Sequence, residues 1–133
     1  MEIKMYEEKY FDSLNILLEE AFHVSKKDKE LSSNFELLAI DGENVIGYLM
    51  LNPLYDSIRC QKYFYVNYVC THPNYRNQHV ATKLFDRIFS ICKEEGVSYL
   101  ELTSNPSRVV AHHLYHKLGF QVRETTVFRK EIL

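Results

Sequence analysis

The sequence predicts an α/β domain built on a mixed, partly parallel sheet. Three observations carry this. Strand-like and helix-like patterns follow one another as strand, helix, three strands, helix, strand, helix, strand. The two later helical patterns both close on a glycine, Gly96 and Gly119. The late strand-helix-strand run requires a crossover, and a crossover leaves its flanking strands parallel.

Taken in order, a first strand precedes "YFDSLNILLEEAF", where Tyr10, Phe11, Leu14, Leu17, Leu18 and Ala21 recur at helical spacing and form one core-facing stripe. The polar connection "SKKDKELS" has room for a short helical turn. "FELLAI" and "VIGYLMLNP" read as strands joined through "DGEN", because Asp-Gly supplies the positive φ of a tight hairpin. "KYFYVNYVCT" is rich in β-branched and aromatic residues and reads as a strong strand. From Val80, "VATKLFDRIFSICKEEG" sets Ala81, Leu84, Phe85, Ile88, Ile91 and Cys92 on one helix face before Gly96 stops it. "VSYLELT" is a strand, "SRVVAHHLYHKLG" a short helix, and "FQVRETTVFRKEIL" alternates into a final strand.

Composition narrows the function. A chain of 133 residues, 46% hydrophobic and 26% charged, can bury a core, so a single domain over residues 1–133 is expected. Sixteen basic against eighteen acidic residues leave a formal net charge of -2, without the cationic excess that grips nucleic acid or anionic lipid. "MEIKMYEEKYFDSL" carries acidic residues where a signal peptide needs an apolar run, and no stretch approaches the ~18–20 apolar residues of a membrane span. A cytoplasmic protein is expected, binding neither nucleic acid nor membrane. Cys60, Cys70 and Cys92 are odd in number and widely spaced, against a disulfide framework or zinc knuckle; they read as small buried or half-buried side chains.

The turn "HPNYRNQH" then runs directly into a helix. The first amides of that helix lack intrahelical partners and its dipole favours negative charge, so Arg76, Asn77, Gln78 and Thr82 surround a place suited to a phosphate-bearing cofactor. A merely solvated strand-to-helix turn would look much the same.

Two separated segments carry a resemblance that separates these readings. "YVCTHPNYRNQHVATKLF" resembles the acetyl-CoA signature of the GNAT superfamily of N-acetyltransferases, opened here by Arg76 and closed by Ala81. "AHHLYHKLGF" resembles the second signature of that family, an alanine, a tyrosine four residues later and a Gly-Phe pair. One helix and one strand separate the two, as in the family. The resemblance implies a GNAT-like mixed, partly parallel twisted sheet of about six or seven strands flanked by helices. It also implies direct attack of an acceptor amine on the thioester of acetyl-CoA, without an acyl-enzyme. The expected acceptor is a primary amine of a small molecule or peptide, and a homodimer is one state open to such a protein.

Site residues follow from the same resemblance. The loop Arg76, Asn77, Gln78, His79, Val80, Ala81 and Thr82 is expected to hold the pyrophosphate, and the strand edge at Val69, Cys70 and Thr71 the pantetheine arm, with the N–H near Cys70 close to the thioester oxygen. Asn105 is a further expected contact. Tyr115 matches the tyrosine that donates to the departing thiolate, a task suited to a phenol of reference pKa ~10.

Two departures stand out. His79 occupies the place of the loop glycine, at little cost if its φ is negative; an exposed loop histidine and a phosphate contact are both open to it. Arg108 stands where many relatives carry asparagine, and "R-x-x-A-H-x-L-Y" resembles the aminoalkylphosphonate N-acetyltransferase branch. The strand glutamate that many relatives use as a base is missing from "VNYVC", which offers only Asn67 and Tyr68, so a non-catalytic acyl-CoA-binding or partner-binding module remains the alternative. His112 and His116 lie four apart on one helix but lack a third ligand at suitable spacing; no metal is expected, and both read as surface histidines.

Overall fold

The computed structural model describes residues 1–30 and 34–133. Backbone contacts divide the chain into two compact units, residues 1–103 and 104–133.

The first unit holds a five-stranded sheet: β1 (Glu2–Met5), β2 (Phe35–Asp41), β3 (Asn44–Asp56), β4 (Gln61–Thr71) and β5 (Val97–Leu102), ordered β1-β2-β3-β4-β5. Neighbours are antiparallel except β4 and β5, whose parallel pairing follows from the crossover through α2 (Val80–Glu95). The other helix of the unit, α1 (Phe11–Phe22), begins after a 3-10 turn at Glu8–Tyr10 and ends at His23 in the left-handed region. The β2–β3 hairpin turns at Gly42, φ +63°, as the Asp-Gly pair requires. Residues 25–30 form no helical turn, and the rest of that expected turn falls on residues outside the described set.

Alternation along the strands gives the sheet two packed faces. Leu38, Ile40, Val45, Tyr48 and Cys70 meet Leu14, Leu17 and Leu18 of α1 in one buried cluster. On the other face lies α2, which buries Val80, Leu84, Phe85 and Ile88. A Cβ at Gly47 would stand 2.6 Å from Val80 Cγ1 and 3.2 Å from Ala39 Cβ, so glycine lets the first turn of α2 lie against β3.

The second unit contains α3 (Val109–Lys117), followed by Gly119 at φ +95°. The final strand expected over "FQVRETTVFRKEIL" is absent: residues 120–133 form no strand, and 121–133 are exposed throughout. The sheet therefore has five strands instead of about six or seven. Strand-forming side chains make a strand only where a neighbouring edge takes their backbone bonds, and this segment pairs with none among the described residues. Cys70 is buried and Cys92 half-buried, but Cys60 is exposed in the β3–β4 turn at φ +52°, correcting the expectation that all three are covered.

Candidate active site

The end of β4 changes character where the signature begins. Its pairing with β5 stops at Val66–Leu102, yet β4 continues from Asn67 to Thr71 paired with β3 alone. Within that extension Tyr48 pairs with Cys70 and Met50 with Asn67, so β4 holds one residue more than β3. The bulge is marked by Tyr68, at φ +55°. Bulges bend a strand and interrupt its ladder; this one does so beside Val69, Cys70 and Thr71.

Beyond Thr71 the chain is tied down before it enters α2. The His72 amide donates to Ile46 O at 2.7 Å, the Asn74 amide to His72 Nδ1 at 3.1 Å, and the Tyr75 hydroxyl to Asp41 Oδ2 at 2.6 Å. After the 3-10 turn Pro73–Tyr75, Arg76 is extended and Asn77 left-handed at φ +63°. His79 is left-handed too, at φ +61° and ψ +26°. Its backbone thus has the positive φ that favours glycine, and the condition under which histidine would be inexpensive here is not met.

His79 is also the N-cap of α2 and makes no side-chain cap hydrogen bond. The first helical bond runs from Lys83 N to His79 O at 3.0 Å, so the amides of Val80, Ala81 and Thr82 precede the ladder. No acidic side chain lies in the first turn. Arg76, Asn77, Gln78 and His79 are exposed around it. The loop thus offers several aligned N–H groups, the positive end of a long helix and one guanidinium, a donor set that fits a diphosphate.

The second unit holds the other two expected site residues. Asn105 Oδ1 accepts from the Ser107 amide at 2.9 Å and Asn105 O from the Arg108 amide at 3.0 Å, a turn that leads into α3. Tyr115 is buried on α3 and meets Phe120 edge-on at 5.8 Å. Burial pushes its pKa above the ordinary tyrosine value, with Arg108 opposing, so the phenol keeps its proton well past neutrality. His116 is exposed but His112 is half-buried, its Nε2 buried without a hydrogen-bond partner, so only one of the pair is the surface histidine expected.

A cleft of about 280 Å³ on the α1 side of the sheet escaped the reading of the sequence. Leu18, Val24, Lys26, Glu36, Tyr48 and the bulge residue Tyr68 are among its walls. Glu36 is 2% exposed. Its Oε1 accepts from the Tyr48 hydroxyl at 2.6 Å and its Oε2 from Lys26 Nζ at 3.0 Å. Burial first, and the bond to Glu36 second, push the Tyr48 pKa far up, so it serves as a fixed donor. Lys26 is itself anchored: its amide donates to Asn15 Oδ1 at 2.6 Å, and its ammonium lies 4.7 Å from the Tyr6 ring centroid. Tyr48 pairs with Cys70, so this carboxylate network adjoins the row of the sheet that carries the expected thioester contact. A signal was present in "FELLAI", whose lone charge sits at the alternation position of Leu38 and Ile40.

The model of the acetyltransferase (GNAT) family matches residues 3–120. The chain belongs to the GNAT family. As a member it is an acetyl-CoA-dependent N-acetyltransferase, the activity implied by its two signatures. Among solved structures, it superposes on a ribosomal-protein-alanine N-acetyltransferase from Brucella melitensis biovar Abortus 2308 with a TM-score of 0.83, at 15% identity, covering 98% of this chain and 100% of that one. An aminoglycoside acetyltransferase, meta-AAC0020 from an uncultured soil metagenomic sample, gives 0.84 at 17% identity, covering 99% and 95%. The aminoglycoside enzyme AAC(6')-Iy, bound to a bisubstrate analog of CoA, gives 0.81 at 14% identity, covering 99% and 98%. At these identities the superpositions establish the fold of this GNAT protein. No curated protein matches its sequence.

Proposed function

We propose that this protein transfers the acetyl group of acetyl-CoA directly to a primary amine of a small molecule or peptide, with both units working as one domain over residues 1–133. The family match spans the boundary between the units, which supports a shared task. The observation that carries the reading is the sequence of events at the end of β4: loss of β5 pairing, the bulge at Tyr68, two left-handed residues and an uncapped helix.

Acetyl-CoA supplies an activated acetyl thioester. The amides of Val80, Ala81 and Thr82, with Arg76, Asn77, Gln78 and His79 around them, hold its diphosphate through charge-assisted bonds. Backbone groups of Val69, Cys70 and Thr71 pair with the amide-bearing arm as a strand edge would, and the N–H near Cys70 polarises the carbonyl. Asn105 adds a contact. Tyr115 donates its proton to the departing sulfur, a role its buried phenol suits because it stays protonated, and the proton lost by the attacking nitrogen passes to water, from which the phenol is restored. The acceptor enters the cleft at Tyr68, where Glu36 offers its unused lone pairs to the N–H groups of the amine. The related aminoglycoside and ribosomal-protein enzymes support an amine acceptor. The protein works in the cytoplasm, apart from nucleic acid and membranes, with a homodimer as one state open to it; no described helix is long and apolar enough to cross a membrane.

The test couples calorimetric titration with acetyl-CoA to a CoA-release assay over polyamines, aminoglycosides, amino acid esters and N-terminal peptides. Tight binding with release on at least one amine is expected. Binding without release on any of them would favour the acyl-CoA-binding module, and no binding would overturn both.

A further inference from the structure

We propose that Lys26 is a specificity-determining residue: it fills the ammonium position of the cleft with the chain's own side chain, and so selects acceptors that arrive as uncharged, weakly basic amines. This rests on the cleft being the acceptor site and names the class of amine that the site takes.

A buried carboxylate facing an aromatic ring is a pair of groups that recognises an ammonium. The first unit contains this pair, and Lys26 occupies it. Its Nζ lies 3.0 Å from Glu36 Oε2 and 4.7 Å from the centroid of the Tyr6 ring, and the side chains of Lys26 and Glu36 are only 11% and 3% exposed. The backbone holds the position as well. Asn15 of α1 accepts from the Lys26 amide at 2.6 Å through Oδ1 and donates through Nδ2 to the Lys26 carbonyl at 3.2 Å, while the Tyr6 hydroxyl donates to Lys29 O at 2.7 Å. Residues 25–29 form neither helix nor strand, so these bonds take the place of a ladder and set the lysine against Glu36.

The charges around the cleft consequently cancel. Among the described residues, its charged walls are Lys26 and Lys27 against Asp28 and Glu36. An incoming ammonium meets no uncompensated carboxylate in this set and sheds its water with nothing to replace it. An uncharged amine meets no such obstacle, and its N–H groups still find the lone pairs of Glu36 that Lys26 and Tyr48 leave over. Basicity therefore sorts the acceptors. At neutral pH an α-amine of reference pKa ~8 is uncharged to an extent roughly two hundredfold greater than an alkylamine of ~10.4. The cleft suits amino-acid amides, amino-acid esters and peptide α-amines, and disfavours diamines and lysine side chains.

The test compares CoA release from glycinamide and from 1,4-diaminobutane at neutral pH, in the full chain and in its Lys26→Met variant, which keeps most of the stem and removes the charge. In the parent, kcat/KM should favour glycinamide by about tenfold or more. In Lys26→Met that ratio should fall by about tenfold or more, because an ammonium of the diamine takes the vacated place beside the unpaired carboxylate. Propylammonium, without acetyl-CoA, should raise the Tm of the variant and leave that of the parent unchanged. A parental preference for the diamine, or a ratio that Lys26→Met leaves as it was, would overturn the role of Lys26 while acetyl transfer to amines stands. If Lys26→Met does not fold, a double variant, Lys26→Met with Glu36→Gln, removes both charges together and should keep the preference for glycinamide; a preference for the diamine there would overturn selection by charge balance. Failure of release with every amine would overturn the acceptor reading of the cleft and this inference with it.

Discussion

The hydroxyl of Tyr48 donates a 2.6 Å hydrogen bond to Glu36 across adjacent strands, at a carboxylate 2% exposed to solvent. Its other oxygen is taken by the Lys26 ammonium. A buried charge with its bonds satisfied is tolerable, and one that loses a partner is expensive. Tyr48→Phe should therefore cost about 2 kcal/mol in urea unfolding, in the range for bonds to charged groups. If the cleft takes the acceptor, the same variant should raise KM for the amine about tenfold and leave KM for acetyl-CoA unchanged. Equal shifts in both constants would remove the network from acceptor binding.

His79 carries a left-handed backbone ahead of α2 without capping it. A non-glycine in this region costs about 1–2 kcal/mol, partly offset in a glycine variant by the greater freedom of the unfolded chain. His79→Gly should accordingly stabilise the protein by about 0.5–1 kcal/mol, seen as a higher Tm. If the imidazole contributes nothing to the phosphate, acetyl-CoA affinity should hold or improve. A severalfold loss of affinity would assign the side chain a contact with the cofactor.

Tyr115 supplies a prediction with a pH sign. Burial raises its pKa, so its phenol stays protonated in the folded protein at pH values where an unfolded tyrosine ionises. The stability this lends is complete below pH ~10 and is lost as pH climbs through the raised value. Turnover that depends on the phenolic proton should persist to the same alkaline limit. Tyr115→Phe should lower kcat by about a hundredfold, leave acetyl-CoA binding nearly intact and abolish that limb of the pH profile. An unchanged kcat would place the proton elsewhere.

Much of this was legible in the chain, for reasons visible in particular residues. Asp41-Gly42 announced its hairpin, the spacing of Leu84, Phe85 and Ile88 announced α2, and Gly96 announced its end, because each depends on neighbours in sequence. The positive φ of Tyr68, Asn77 and His79 was hidden, since nothing in a non-glycine residue forces it; the register against β3 and the approach of α2 impose it. Glu36 looked like one charge in an apolar strand until Tyr48 and Lys26, from two other segments, met it. The final strand failed for the converse reason: its side chains are of the right type, but residue type alone does not make a paired strand, and residues 120–133 form none.

Gly47 links the sheet to the start of α2, and that link can be tested without touching the loop. A methyl group there would stand 2.6 Å from Val80 Cγ1, and Ala39 Cβ at 3.2 Å closes the way around it. Val80 is short, β-branched and buried, so it cannot swing aside as a long side chain would. The helix start must shift instead. Overpacking of this kind costs about 1–3 kcal/mol, so Gly47→Ala should unfold at lower urea. The same displacement moves the amides of Val80, Ala81 and Thr82, the donors assigned to the diphosphate. Acetyl-CoA should bind the variant at least severalfold more weakly in calorimetry, while dephosphorylated pantetheine fragments that never reach those amides lose little. A variant that is destabilised yet binds acetyl-CoA as tightly as the parent would mean that the start of α2 is not where the coenzyme is held.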